Sequence, residues 1–421
     1  MSKASLVLLC GLLGVPLARA QDQEALRPAA TAINALGCDL LGQAPGNALV
    51  SPYSIQTALA MTFAGAAGET REEMARVLHF AGEEAALHGA FAALQAELEE
   101  VARATARRAE LSAKVGGPSD PVVLTVANRL FGQSGYAFRP TFLSLVSELY
   151  QAPLQAADFI HQASQEALAI NRWVEEQTRS RIRDLIPEGA LDAATRLVLV
   201  NAVYLKAPWE QPFPERATAP QPFRVDGRKA VEVPTMVRQD KYGYHKADGY
   251  TAVTVPYSGR QLQLLILLPD EPDGLPALEK KLSPFLLALS APLPPHDVKL
   301  YLPTFRMEPP LMRLSENLKK LGMKRAFNEP EGSADFDRMA PRLPDDYLFI
   351  SEIFHKTFLA LDEKGTEAAA ATAVVMARAT AMRPEPKPEP VEVRVDRPFL
   401  FAIQHRASGA CLFLGRMNDP R

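Results

Sequence analysis

Residues 360 to 384 constrain this chain more than any other stretch. They run from Ala360-Leu361-Asp362-Glu363-Lys364-Gly365-Thr366-Glu367 through an alanine-rich segment to Arg383-Pro384. Read as a helix, the stretch has a start: Thr366 is a fitting N-cap, Glu367 falls in the first turn, and alanine is the best helix former. Its apolar residues do not recur at helical spacing, however, so such a helix has no face to anchor it to a core. Read as an extended strand, alternate side chains share a face. Thr366, Ala368, Ala370, Thr372 and Val374 then point one way, and all are small or β-branched. A strand with that face can slide between two existing strands without meeting a bulky side chain or burying a charge. Glu367, on the opposite face, is expected to stay in water. Gly365 supplies backbone freedom where a fixed strand must turn into a loop.

The remainder of the chain excludes several classes of function. Apolar residues make up 47% of the 421 residues and the net charge is −3, which describes a globular protein with a core rather than a nucleic-acid binder. Met1-Ser2-Lys3, the apolar run Leu6 to Leu13 and the small-residue ending at Ala20 read as an export signal cleaved before Gln21. That run is too short to span a bilayer comfortably. Outside it stand only Cys38 and Cys411, so there is no disulfide framework, and a single bridge between them is left open. The chain has no Gly-x-Ser-x-Gly elbow, no His-Glu-x-x-His, no Cys-x-x-Cys and no glycine-rich phosphate loop. Its seven histidines are scattered. No catalytic residue, cofactor or metal site is therefore expected.

Periodicity predicts helices over residues 22–45, after Ser51-Pro52, over 142–150, over 170–186 and over 311–321. Residues 104–121, charged and glycine-containing, read as an exposed loop. Strands are expected at 122–130, 196–205, 231–236, 251–257, 262–268 and 298–305, and as one long strand over 348–361 leading into the Gly365 stretch. The run Leu197 to Leu205 reads as buried on both faces. A terminal hairpin pairs 398–403 with 410–416. Helices come first and strands later without a repeat, which makes this an α+β fold with large mixed sheets. Three polar residues stand in apolar surroundings: Ser54, Asn201 and His355. Each is compatible with an ordinary satisfied core residue.

Asp362 to Ala371 closely resembles the hinge and reactive-centre loop of the serpins. So do Asn47-Ala48-Leu49-Val50-Ser51-Pro52-Tyr53-Ser54, Gly65-Ala66-Ala67-Gly68-Glu69-Thr70, Ala127-Asn128-Arg129-Leu130-Phe131, Asp158-Phe159 and the terminal strands, all in family order. The resemblance covers the chain from about residue 25 to its end. With the export signal read over 1–20, it implies a single serpin domain over 21–421 and a reactive-centre loop over about 363–391. It implies a secreted, extracellular or periplasmic monomer that traps a serine protease as a covalent acyl complex. The hinge would comprise Glu363, Gly365, Thr366, Glu367, Ala368, Ala369, Ala370, Ala371 and Thr372. Ser54, Asn201 and His355 would form a hydrogen-bonded cluster beneath the sheet that opens, and Trp209 would sit where the hinge first enters.

Family spacing counted from Glu363 puts the scissile bond at Ala379-Thr380, suiting elastase-like or subtilisin-like proteases. A one-residue shift gives Arg378-Ala379 and a trypsin-like target. Arg383-Pro384 is a poor site, because proline after the bond blocks such cleavage. The chain departs from the family by roughly eight extra residues, visible in Pro384-Glu385-Pro386-Lys387-Pro388-Glu389-Pro390. Alternating proline favours an extended segment. It reads either as a spacer or secondary contact for a protease, or as a tolerated insertion. A non-inhibitory carrier or chaperone of the same fold is the alternative function. Such a protein should show bulky or charged residues at the inward hinge positions, where this chain has small ones.

Overall fold

The computed structural model describes residues 14–117, 119–225, 229–344, 346–367 and 389–421; the side chains of 14–22, 127, 128 and 201 also lie outside that description. The N-terminal part is mainly helical: α1 (Gly14–Gln43), β1 (Ala48–Val50), α2 (Pro52–Gly65), α3 (Gly68–Val77) and α4 (Glu84–Ala113). Then follow β2 (Val123–Gln133), α5 (Pro140–Tyr150), β3 (Leu154–Ala157), α6 (Phe159–Gln177) and β4 (Leu197–Pro208). A run of strands comes next: β5 (Ala219–Val225), β6 (Lys229–Ala247), β7 (Tyr250–Pro256) and β8 (Leu262–Pro269). Two short helices, α7 (Leu275–Glu279) and α8 (Pro284–Leu289), precede β9 (Pro295–Pro303), β10 (Phe305–Met307), β11 (Met312–Arg313) and α9 (Ser315–Leu321). The chain ends with β12 (Phe354–His355), β13 (Leu359–Leu361), β14 (Gly365–Thr366), β15 (Val391–Arg394), β16 (Phe399–His405) and β17 (Cys411–Met417).

Two sheets organise the molecule, as an α+β fold with large mixed sheets requires. The larger runs β1-β17-β16-β8-β7-β6-β9-β15, with β5 paired to β6. Its central strands β8 and β16 are buried at every position, which is why they read as continuous apolar runs. The second sheet runs β10-β13-β14-β4-β2-β3. One face of β4 (Val203, Leu205, Ala207) joins the main core against α2. The other face (Val198, Val200, Ala202) packs under α6 in a separate apolar cluster. The two-residue period of a strand thus divides a single apolar run between two cores.

Four sequence expectations are corrected. Residues 104–113 continue α4 instead of forming a loop. Thr105 and Ala109 occupy buried positions one turn apart, and side chains that small leave little hydrophobic period to detect. Arg103 and Arg107 pair with Glu100 along the exposed face. Helix α6 ends at Gln177, so Ile182, Leu185 and Ile186 are buried on a loop. In the predicted helix over 311–321, Met312–Arg313 is a strand paired with Phe354–His355, and the helix starts at Ser315. The expected long strand over 348–361 is broken into β12 and β13. Its first residues meet a 3-10 turn (Arg325–Phe327) and the N-cap of α9 instead of a neighbouring strand: the Ile350 amide donates to Ala326 O and the Leu314 amide to Ile353 O, at 2.8 and 2.9 Å.

Candidate functional site

The site begins where β13 ends. Asp362 closes a tight turn, its Oδ1 accepting the amides of Lys364 and Gly365 at 2.8 and 3.1 Å. Burial of this carboxyl pushes its pKa upward, against those two amides. The turn is clamped by the segment that follows β4. The Trp209 indole donates to Asp362 O at 2.9 Å, the Trp209 amide to Lys364 O at 2.8 Å, and the Phe213 amide to Glu363 O at 2.8 Å. The Thr218 hydroxyl donates to the Glu363 carboxylate at 2.6 Å. The chain then reverses into β14, which lies between β13 and β4: Leu361 faces Thr366 on one side, and Pro208 and Ala207 face Gly365 and Thr366 on the other. Gly365 has φ +152°, and a Cβ there would fall 2.2 Å from Ala207 O, a backbone atom that cannot yield.

Thr366 is fully buried and shares a 2.6 Å hydrogen bond with the Tyr257 hydroxyl. Tyr257 in turn stacks on Trp209, with ring centroids 4.5 Å apart and planes 8° apart. Glu367, expected to stay in water, does not: it lies on the outer face with its side chain only 11% exposed, in an ion pair with Arg181. Burial pushes the Glu367 carboxyl upward, opposed by the Arg181 and Arg179 guanidiniums. Ala368, Ala369, Ala370, Ala371 and Thr372 lie outside the described residues, as do Arg378, Ala379, Thr380 and residues 384–388 of the proline-rich insertion.

Past Thr366 no described residue continues the strand between β4 and β13. Among the described residues, β4 pairs with β2 on one edge, while its other edge meets a strand only at Ala207 and Pro208. The facing edge of β13 pairs with β14 only at Leu361. This slot leads to an apolar cavity between α2, the start of β4 and residues 348–355, lined among others by Ala58, Leu59, Leu197, Leu199, Ile350 and Phe354. Ser54 and His355 line the same cavity. The Ser51 amide donates to His355 Nε2 at 3.1 Å, and the Ser51 hydroxyl to Leu412 O at 2.7 Å. The Ser54 amide in turn donates to Ser51 Oγ at 3.4 Å. Ser51 thus joins the histidine to α2 and β17, a connection without a sequence signal beyond its place before proline. Asn201 pairs with Asn128 in the β2–β4 ladder, and its side chain lies outside the description.

His355 accepts from the Ser51 amide and is therefore neutral; burial pushes its pKa down to about 4. An unfolded histidine titrates near 6.5, so the unfolded chain takes up the proton first as pH falls. Stability from this group is complete above about pH 6.5 and is lost between there and pH 4, by on the order of 3 kcal/mol. We expect the melting temperature to fall over that interval, and to fall less in His355→Gln. Parallel melting curves between pH 7 and 4.5 check this. Equal losses in both proteins refute it.

The two-residue strand β14 stands just ahead of the small-residue run that begins at Ala368 in the sequence. The family model described as Serpin (serine protease inhibitor) matches residues 32–420. This chain belongs to the serpin family. It is 37% identical over 386 residues to a leukocyte elastase inhibitor of Bos taurus, covering 89% of this chain and 93% of that protein. It is 35% identical to a leukocyte elastase inhibitor of Homo sapiens, again over 89% of this chain and 93% of the relative. Among solved structures, Cleaved Serpin 42Da superposes with a TM-score of 0.75 at 31% identity, over 96% of this chain and 100% of that one. The family and these relatives make the serpin a protease inhibitor, not an enzyme. Among the described residues, no helix is long and apolar enough to cross a membrane. Cys38 and Cys411 are free thiols, and burial pushes Cys38 up to about 12.

Proposed function

We propose that this serpin is a suicide-substrate inhibitor of serine proteases of elastase-like or subtilisin-like specificity, cut at Ala379-Thr380. The observation that carries the reading is β14: two hinge residues already pair as a strand between β13 and β4, at the head of a slot with no other described occupant. Attack on the loop forms an acyl-enzyme. The protease serine becomes esterified to the Ala379 carbonyl as the Ala379–Thr380 amide breaks and Thr380 leaves as a new amino terminus, and the strand, no longer tethered at that end to the rest of the chain, extends into the slot with the protease still attached. Continuing the register of Gly365 with Pro208 and Thr366 with Ala207 sets Ala368, Ala370 and Thr372 opposite Leu205, Val203 and Asn201. Val374 and Met376 then come opposite Leu199 and Leu197, which line the apolar cavity. All five face the core side of β4, where a charge would be costly and small or apolar groups fit.

Ser54 and His355, joined through Ser51, would act together with Asn201 as the cluster that parts when the slot opens. Trp209 would hold the turn from which the strand grows. Cleavage at Arg378-Ala379 by a trypsin-like protease is the second reading, favoured by the arginine one residue upstream. Residues 1–20 would direct export, leaving a monomer to meet its protease outside the cytoplasm or in the periplasm. The test is incubation with elastase, subtilisin and trypsin, followed by denaturing electrophoresis and mass spectrometry of the released C-terminal peptide. An SDS-stable complex and a peptide beginning at Thr380 are expected. A peptide beginning at Ala379 selects the trypsin-like reading. Quantitative cleavage without complex by all three proteases refutes inhibition by trapping.

A further inference from the structure

Glu367 is held by a loop distant in sequence. Helix α6 ends at Gln177, and Thr178 closes it: its hydroxyl donates to Val174 O and accepts the Ile182 amide, at 2.8 and 3.1 Å. The next two residues, Arg179 and Ser180, both adopt left-handed backbone, with φ of 50° and 60°. Two consecutive non-glycine residues in that region cost energy, and the surroundings must hold them there. The Ser180 amide donates to Glu175 O at 2.7 Å and the Arg181 amide to Thr178 O at 3.0 Å. The turn throws its arginines across the mouth of the slot. On the β4 side the Arg179 guanidinium lies 5.4 Å from the Tyr204 ring centroid. On the other side Arg181 lies 5.2 Å from the ring of Phe358, and Lys356 Nζ donates to Arg183 O at 2.8 Å. Between them Arg181 grips Glu367, the first residue past the seated strand.

We infer that Arg181 is a positioning residue that keeps Thr366 and Glu367 seated in the uncleaved protein, so that strand entry starts from a formed nucleus. The inference rests on the trapping mechanism proposed above. A strand that must first pair its leading residue pays an entropic cost before any gain; a seated one has already met it. Arg181 holds the outer face of that nucleus, while the Thr366–Tyr257 hydrogen bond holds the inner face. In the race between insertion and hydrolysis of the acyl-enzyme, the grip favours insertion.

The molecule contains its own reporter. Of its two tryptophans, Trp209 stacks on the tyrosine that holds Thr366 and donates to Asp362 O in the hinge turn. In a Trp173→Phe background, Arg181→Met and Glu367→Gln should each shift the Trp209 emission to the red as the hinge withdraws. The stoichiometry of inhibition should rise about two- to five-fold, because a weaker nucleus slows insertion. Arg181→Lys, which keeps the charge, should return both readouts toward the parent. A merely structural arginine would lower thermal stability alone, leaving emission and stoichiometry in place, and that result overturns the inference. So does an emission change in Arg181→Met that Glu367→Gln fails to reproduce. The emission measurement needs no protease. A parent protein that traps no protease therefore sinks the mechanism, while the seating of the hinge is judged separately.

Discussion

Replacing Thr366 by arginine is expected to turn the inhibitor into a substrate. Thr366 has no exposed surface, and its hydroxyl is spent on Tyr257 at 2.6 Å. A guanidinium at that position, where the described side-chain partner of Thr366 is the neutral Tyr257 hydroxyl, would be stripped of water. An unpaired buried charge costs several kcal/mol, and each 1.4 kcal/mol is about tenfold in a rate or equilibrium. The seated strand would be expelled and insertion slowed by about 1,000-fold or more, so hydrolysis of the acyl-enzyme would win. Denaturing gels should show loss of the stable complex band with undiminished cleavage of the loop. Thr366→Ser, which keeps the hydroxyl and the volume small, should retain the complex. Unchanged trapping by Thr366→Arg would end the insertion account.

Cutting the loop without trapping a protease should raise thermal stability. The strand entering between β4 and β13 adds roughly a dozen net backbone hydrogen bonds at about 1 kcal/mol each, on the order of 10 kcal/mol. Filling the cavity with apolar side chains adds to this. With an unfolding entropy of about 2 cal/mol/K per residue, a gain of that size over roughly 400 residues raises the melting temperature by about 12 °C. On the proposed mechanism the uncut state is held by a kinetic barrier and not by equilibrium. Calorimetry on protein nicked within residues 373–380 by a non-target protease, against intact protein, makes the comparison. Coincident transitions would mean that no strand has been gained.

The extent to which the site was legible follows from the range of the forces involved. The two-residue period of an extended chain is a local property, so the small face from Thr366 to Val374 could be read without coordinates. The same holds for the freedom needed at Gly365 and for the buried run of β4. Partners far apart in sequence could not be read. Nothing near Glu367 marks Arg181 as its counterion, and nothing near His355 marks the Ser51 amide as its donor. The helical course of residues 104–113 was hidden because burial there falls on Thr105 and Ala109, whose small side chains carry little hydrophobic signal.

What the sequence determined by itself is the class of fold and the chemistry of the moving segment. Apolar periodicity and a run of slender side chains are local patterns, and they act wherever the chain is placed. What only the tertiary structure decided is that Gly365 and Thr366 are paired as a strand between β13 and β4, with Thr366 against Tyr257 and Glu367 under Arg181. It also decided that residues 348–353 form no strand beside β4. Both depend on whether a neighbouring strand is there to complete backbone hydrogen bonds, and that is settled only when distant parts of the chain have packed.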